Sequence, residues 1–131
     1  MGRFVNPDNS AFQVALNSEI YVDKTGLLSY TNKVLDTMQG YICNSRPRRF
    51  GKSITANMLT AYYSRGCDSR TMFSALKISQ TPDWEVHLNK YDVIKVNMQD
   101  FLSCTDSVDE MLKFLQKRII SDLKRKYPQY V

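Results

Sequence analysis

The chain has 131 residues, of which 43% are hydrophobic, and it carries a formal net charge of +5 with an isoelectric point near 9.2. This length accommodates one domain with a hydrophobic core but not two, and the composition excludes a disordered tail. The positive charge favours an anionic partner, either a nucleotide or a nucleic acid, without choosing between them.

The sequence also lacks the signals that would direct a chain into or across a membrane. No apolar run approaches the roughly 20 residues of a membrane span, and the first ten residues contain no apolar signal region. Three widely spaced cysteines are too few for a disulfide framework. We therefore predict a cytoplasmic protein with no membrane partner.

The first 40 residues contain a polar lead-in and one predicted helix. Residues 1–20 form the lead-in, which is rich in turn-forming residues around Asn6-Pro7. Asp23 is a suitable N-cap for a helix that runs to about Leu35, and Lys24 is interpreted as a surface lysine beside that cap.

Residues 40–63 have the pattern of a strand, a tight turn and a helix. Tyr41 to Cys43 is a short apolar run that predicts a buried strand. Residues 45–51 form a basic turn that ends in glycine. The helical pattern then starts at Lys52, with apolar residues at steps of three and four.

This arrangement predicts a phosphate-binding loop at the start of the helix. Gly51 would let the backbone approach an anion closely, and the amides of Gly51 to Ile54 would form a cradle at the positive end of the helix dipole. Lys52 would contact the β- and γ-phosphates, and the Ser53 hydroxyl would bind Mg²⁺. Arg48 and Arg49 either add charge on the phosphates or form a solvated basic rim. The alternative interpretation of the whole segment is a basic surface turn followed by a solvated helix start.

Four more elements are predicted after this helix. A short helix capped at Asp68 or Ser69 comes first, and another begins at Thr81, which precedes a proline. Residues 92–98, DVIKVNM, predict the second strand. Residues 106–127 predict a long amphipathic helix with acidic residues in its first turn and basic residues in its last.

Three segments of the chain closely resemble the AAA-ATPase-like family of bacterial proteins. They are YVDKTGL at Tyr21–Leu27, SRPRRFGKS at Ser45–Ser53 and AYYSRGCDS at Ala61–Ser69. The general phosphate-loop pattern G-x-x-x-x-G-K-[ST] has glycine where this chain has Arg46. The resemblance implies that RPRRFGKS is a family form of the loop. It also raises a place near the nucleotide base for Asp23 and Lys24, which we instead interpret as a helix cap beside a surface lysine. It further implies that the protein uses ATP and Mg²⁺ as cofactors. The residues that would bind them are Arg48, Arg49 and Gly51 to Ile54, with Ser53 as the metal ligand.

The family commonly joins an N-terminal P-loop NTPase-type domain to a restriction-endonuclease-like nuclease domain. The resemblance therefore implies that residues 1–131 are the N-terminal part of one P-loop domain. The implied fold is a partial three-layer α/β/α structure with a mostly parallel sheet. No nuclease activity is carried over, because that domain is absent from these residues.

An ATPase of this class also needs a Walker B carboxylate after a core strand to organise the Mg²⁺ shell. Asp100 is the only local candidate, and we interpret it as a loop acid or helix cap because the family's Walker B strand should follow the final helix. We expect the chain to end before that strand, as a fragment or as a short product that needs a partner. The resemblance does not extend to hydrolysis by this chain alone.

Two alternative functions use the same basic loop without catalysis. One is a protein-interaction scaffold. The other is a nucleic-acid-binding module that contacts phosphates in a salt-sensitive, sequence-independent way. Its basic residues would be Arg46, Arg48, Arg49, Lys52, Lys117, Arg118, Lys124, Arg125 and Lys126.

Overall fold

Helices make up the regular structure of the part of the chain that can be described. The computed structural model describes residues 4–45, 51–103 and 106–129, except for the side chains of Asp100 and Leu102. Over these residues the chain forms α1 (Ser10–Leu16), α2 (Gly26–Val34), α3 (Lys52–Tyr63), α4 (Arg70–Ser74), a 3-10 turn (Lys77–Gln80), α5 (Met98–Leu102) and α6 (Val108–Lys126).

The larger hydrophobic core forms where α1, α2, α3 and α4 pack together. Phe12 of α1 stacks on Phe73 of α4 at 5.2 Å between ring centroids, and Tyr62 of α3 meets Phe73 edge to face at 5.3 Å. Such aromatic pairs bury a large apolar area in a defined geometry. The buried residues of this core are Phe12, Leu28, Met58, Ala61, Tyr62, Phe73, Ile78 and Leu88.

The predicted three-layer α/β/α fold with a mostly parallel sheet is wrong, because the described residues contain helices and no sheet. Tyr41 to Cys43 form no regular structure, and the Tyr41 side chain is 96% exposed. A short apolar run is compatible with a strand but does not supply the neighbouring strand that a ladder requires. The helical half of the predicted strand–turn–helix unit is therefore present without its strand.

The second predicted strand, residues 92–98, is replaced by an extended segment with only isolated pairing. Val5 and Ile94 form an antiparallel bridge, and the Lys95 N–H donates to the Phe4 carbonyl at 2.9 Å. At the next pair the Asn6 N–H donates to the Val93 carbonyl at 2.7 Å, but the Val93 N–H donates to the Asn6 side-chain Oδ1, also at 2.7 Å. A side chain in place of a backbone acceptor interrupts the ladder, so the segment does not grow into a sheet.

A second, smaller core joins the start of the chain to α5 and α6. Its buried members are Phe4, Phe101 and Met111. The buried Asp122 of α6 accepts a 2.7 Å hydrogen bond from the Phe4 N–H. Residues 4–6 therefore lie between α6 and the extended segment, with a hydrogen bond to an α6 side chain on one side and backbone hydrogen bonds to the extended segment on the other.

The turn after α3 approaches the start of the chain very closely. A Cβ built on Gly66 would lie 2.2 Å from the backbone oxygen of Asn6. The Ser64 hydroxyl donates to the Pro7 carbonyl at 2.8 Å, so the two segments are also hydrogen-bonded. Only glycine allows a backbone-to-backbone approach this close at position 66.

Two predicted helix starts differ from the structure. Thr25, not Asp23, is the N-cap of α2. The helix predicted from Thr81 does not form, and the residues that follow Thr81 make consecutive turns. In this stretch the Trp84 carbonyl accepts a 2.5 Å hydrogen bond from the Tyr62 hydroxyl, and the Asn89 N–H donates to the Tyr62 carbonyl at 2.7 Å. These contacts to α3 use backbone groups that a helix would have required for itself.

Candidate functional site

The Gly-Lys-Ser sequence lies at the start of α3, with its glycine at the N-cap. Gly51 is the N-cap, with a left-handed backbone at φ 85°, and α3 begins at Lys52. Both the N–H and the hydroxyl of Thr55 donate to the Gly51 carbonyl at 2.9 Å. The amides of Lys52, Ser53 and Ile54 therefore lie in the first turn, where an α-helix provides no intrahelical acceptor for them.

The side chains of this first turn point outward and add positive charge. Lys52, Ser53 and Ile54 are all exposed. The turn contains no acidic residue that would compensate the positive end of the helix dipole. Of the predicted site residues, Gly51 to Ile54 are thus contiguous and accessible, whereas Arg48 and Arg49 lie outside the described residues.

The opposite half of α3 is held rigidly by the core. The Tyr63 hydroxyl donates to Asn32 Oδ1 at 2.6 Å and lies 2.5 Å from the Thr31 hydroxyl. Burial raises the pKa of Tyr63 to about 12, against a smaller opposing effect of its hydrogen bond with Thr31. The phenol therefore stays protonated at neutral pH and keeps donating. This anchoring fixes the direction in which the N-terminal turn of α3 faces.

A cleft opens beside Gly51, between α3 and the connection from α1 to α2. Its volume is about 340 Å³. The lining is mainly apolar, with Lys24 at the glycine end, where a Cβ built on Gly51 would lie 3.2 Å from Lys24 Nζ. The apolar side chains that line it are Ala15, Ile20, Tyr21, Val22, Ile54 and Met58.

Asp23 and Thr25 hold the connection that forms one wall of this cleft. Asp23 accepts hydrogen bonds from the Thr25 hydroxyl at 2.6 Å and from the Lys77 N–H at 2.8 Å. The Ile78 N–H donates in turn to the Thr25 hydroxyl at 3.1 Å. Burial raises the pKa of Asp23, but the hydrogen bonds from Thr25 and Lys77 outweigh it and leave that pKa below its usual value. Asp23 is thus an ionised anchor that positions Lys24.

The sequence interpretation of Lys24 as a surface lysine missed its position next to Gly51. The two residues are far apart in the sequence, and the spacing of residues gives no sign of their contact. The sequence signal was the YVDKTGL segment, whose likeness to the family raised a place near the nucleotide base for Asp23 and Lys24 as the less favoured interpretation.

Ser53, the predicted metal ligand, lies in the exposed first turn of α3 next to Lys52. Mg²⁺ in nucleotide sites is held largely by phosphate oxygens and water, with few protein ligands, so a single hydroxyl fits its requirements. The described residues contain no cluster of three or more His, Cys, Asp or Glu side chains that would bind a metal without phosphate. The backbone of Asp100 belongs to α5, and its side chain lies outside the described atoms.

The basic residues of α6 considered for nucleic-acid binding are separate from the loop in sequence and lie on a different element. Lys117, Arg118, Lys124 and Arg125 are exposed, and the Arg118 guanidinium lies 5.0 Å from the centre of the Phe114 ring. Arg46, Arg48 and Arg49 lie outside the described residues.

None of the helices in the described ranges combines the length and the apolar character needed to cross a membrane.

Comparison with known families gives one match. A family model named AAA-ATPase_like and described as a predicted AAA-ATPase matches residues 10–130, which include α1 to α6 as the described residues form them. No match was found among curated proteins or among solved structures. The match covers nearly the whole chain.

Proposed function

The chain belongs to the AAA-ATPase-like family of predicted AAA-ATPases, and on that premise we propose that it binds ATP with Mg²⁺ at the N-terminal turn of α3. The amides from Gly51 to Ile54 surround the phosphates, and Lys52 contacts the β- and γ-phosphates. Ser53 supplies a hydroxyl to Mg²⁺, and Arg48 and Arg49 add positive charge from the preceding loop. The proposal concerns binding and makes no claim about hydrolysis.

One observation carries this proposal. Gly51 has a left-handed backbone conformation, with φ at 85°, and α3 starts at the next residue. This geometry brings the amides of the Gly-Lys-Ser turn to the positive end of a twelve-residue helix. A helix start with a closely approachable glycine and a lysine is a favourable site for a phosphate group. The absence of acid from this first turn agrees with an anionic ligand.

Calorimetric titration with Mg-ATP tests the proposal through two exposed lysines. Lys52→Ala removes the ammonium group that would contact the phosphates. It is expected to lower the affinity for Mg-ATP by about tenfold or more, because a charge-assisted hydrogen bond to phosphate is lost. Lys113→Ala, at an exposed site on α6, is the matched control and should bind like the parent. Equal affinity of Lys52→Ala and the parent would refute the proposal.

A further inference from the structure

We propose that α6 carries a self-association surface, through which it pairs antiparallel with α6 of a second copy of this chain. The surface is a ridge of exposed residues beside the face of α6 that packs on the smaller core. Its members follow one another at steps of four residues, which places them in one row along a helix. They are Val108, Leu112, Gln116, Ile120 and Lys124. This pairing does not involve the Gly-Lys-Ser turn and does not depend on a nucleotide.

Three members of the α6 ridge are apolar and accessible. Val108 is 61% exposed, Leu112 43% and Ile120 46%. The face of α6 that packs within the chain is a separate one, with Met111 buried in the smaller core. One exposed apolar side chain is ordinary, but three in a row form an apolar strip that is stabilised when a partner displaces water from it. The strip is roughly 18 Å long at about 1.5 Å per residue, which suits another helix.

The charges at the two ends of α6 indicate which partner the ridge fits and in which direction. Asp109 and Glu110 lie in the first turn, and Lys124, Arg125 and Lys126 lie in the last. A second α6 that runs antiparallel brings the acidic turn of each copy next to the basic turn of the other, so both ends attract. A parallel copy would set acid against acid and base against base, which costs free energy. The surface is thus complementary to itself, as a two-fold dimer requires.

The spacing of the ridge also gives the register of the pair. With Gln116 on the two-fold axis, Leu112 lies opposite Ile120 of the partner subunit, so apolar groups meet apolar groups. Val108 lies opposite Lys124 of the partner subunit, whose carbon chain can cover it while the ammonium group reaches the acidic first turn. One helix from each copy makes a small interface, so we expect a weak dimer with a dissociation constant of roughly 10–100 µM.

Sedimentation velocity over a concentration series tests the apolar part of the ridge. The parent should shift from monomer towards dimer between roughly 1 and 300 µM. The variant Leu112→Gln/Ile120→Gln keeps good helix formers on α6 but removes the apolar contacts. It should weaken dimerisation by about tenfold or more, because the two-fold symmetry removes each contact twice. Val86→Gln is the control, since Val86 is 62% exposed and lies outside α6, and it should dimerise like the parent.

Reversal of the end charges tests the antiparallel direction. The two variants are Asp109→Lys/Glu110→Lys and Lys124→Glu/Arg125→Glu. Each alone should dimerise about fivefold less tightly than the parent or worse, because like charges then meet at both ends. In a parallel pair like charges would meet already, so reversing one end would leave dimerisation unchanged. An equimolar mixture of the two variants should recover dimerisation, since acid meets base again at both ends of the mixed pair.

Three results would overturn the proposal. A parent that stays monomeric at about 300 µM would exclude a dimer of the expected strength. Dimerisation of Leu112→Gln/Ile120→Gln as tight as that of the parent would place the dimer contact on another surface. A mixture of the charge-reversed variants that stays as monomeric as each variant alone would exclude the antiparallel pairing. Circular dichroism of every variant establishes that the helices are retained, and a loss caused by misfolding would not be restored by mixing.

Discussion

The two ends of α3 differ in whether side chains form hydrogen bonds with their terminal backbone groups. At the C-terminal end, the Asn89 side-chain amide donates to the carbonyls of Ala61 and Ser64 at 3.0 and 2.7 Å. The Ser69 hydroxyl adds a 2.7 Å hydrogen bond to the same Ala61 carbonyl. At the N-terminal end, no side chain among the described residues caps the helix, and Gly51 is followed by an exposed turn.

The difference between the two ends separates stability from function within one helix. Unsatisfied carbonyls in a buried region cost free energy, so the fold supplies side-chain donors where α3 ends in the core. The amides of an exposed first turn can be satisfied by water or by an anion at little cost to the fold. A substitution near the C-terminal end should therefore alter folding, and one in the first turn should alter ligand binding.

The largest expected effect is that of Gly66→Ala, just beyond the C-terminal end of α3. The new Cβ would lie 2.2 Å from the Asn6 backbone oxygen, and backbone cannot move aside as a flexible side chain does. We expect the free energy of unfolding to fall by about 3 kcal/mol or more, measured by urea denaturation. Gly26→Ala is the control, because nothing lies within 4 Å of its added Cβ, and it should change stability by less than about 1 kcal/mol. Similar effects of the two substitutions would contradict the close contact at Gly66.

A smaller effect on folding is expected from Gly51→Ala at the other end of α3. Its φ of 85° costs a residue with a Cβ about 1 kcal/mol, while the nearest atom to the new methyl group, Lys24 Nζ at 3.2 Å, is the end of a flexible side chain. The same denaturation experiment should therefore show about a third of the Gly66→Ala effect, with weakened Mg-ATP binding in calorimetry. If Gly51→Ala destabilised the protein as much as Gly66→Ala, the contrast between the two ends would be lost.

The smallest expected effect is a dependence of stability on acidic pH through Asp92. This carboxylate accepts hydrogen bonds from Tyr127 and Asn6 and lies 3.4 Å from the Arg65 guanidinium, next to the C-terminal end of α3. The hydrogen bond from Tyr127, followed by that from Asn6, holds the pKa of Asp92 below its usual value of 3.8. The folded state thus binds the proton less readily than the unfolded state. The stabilisation is present above the unfolded pKa and is lost as the pH falls through the lower folded value.

The variant Asp92→Asn tests this dependence of stability on pH. Between about pH 5 and pH 3, the urea midpoint of the parent should fall more steeply than that of Asp92→Asn, because the variant has no carboxylate to protonate. The exposed Asp83→Asn serves as the control and should follow the parent. Parallel pH profiles for the parent and Asp92→Asn would show that charge at Asp92 does not stabilise this region.

The features that could be predicted from the sequence are those that local periodicity and charge specify. The long amphipathic helix expected over 106–127 is α6, Val108–Lys126, with Asp109 and Glu110 in its first turn and basic residues in its last. The start of α3 at Lys52 was also predicted, since Gly51 marks the turn and the apolar spacing marks the helix. The candidate site at Gly51 to Ile54 is local in the same sense, and its role in binding stays a prediction.

Local periodicity and charge could not predict whether the two apolar segments form strands. Tyr41 to Cys43 and residues 92–98 are both apolar enough to form strands, but a strand exists only with a partner that may lie anywhere in the chain. For the second segment, the contact that forms is with Phe4 to Asn6, and the Asn6 side chain interrupts the backbone pairing. The start of α3, the Gly-Lys-Ser turn and α6 were thus determined by the sequence itself, because their interactions lie within a few residues. Only the tertiary structure decided that no sheet forms among the described residues and that Lys24 lies beside Gly51, because both depend on contacts between distant segments.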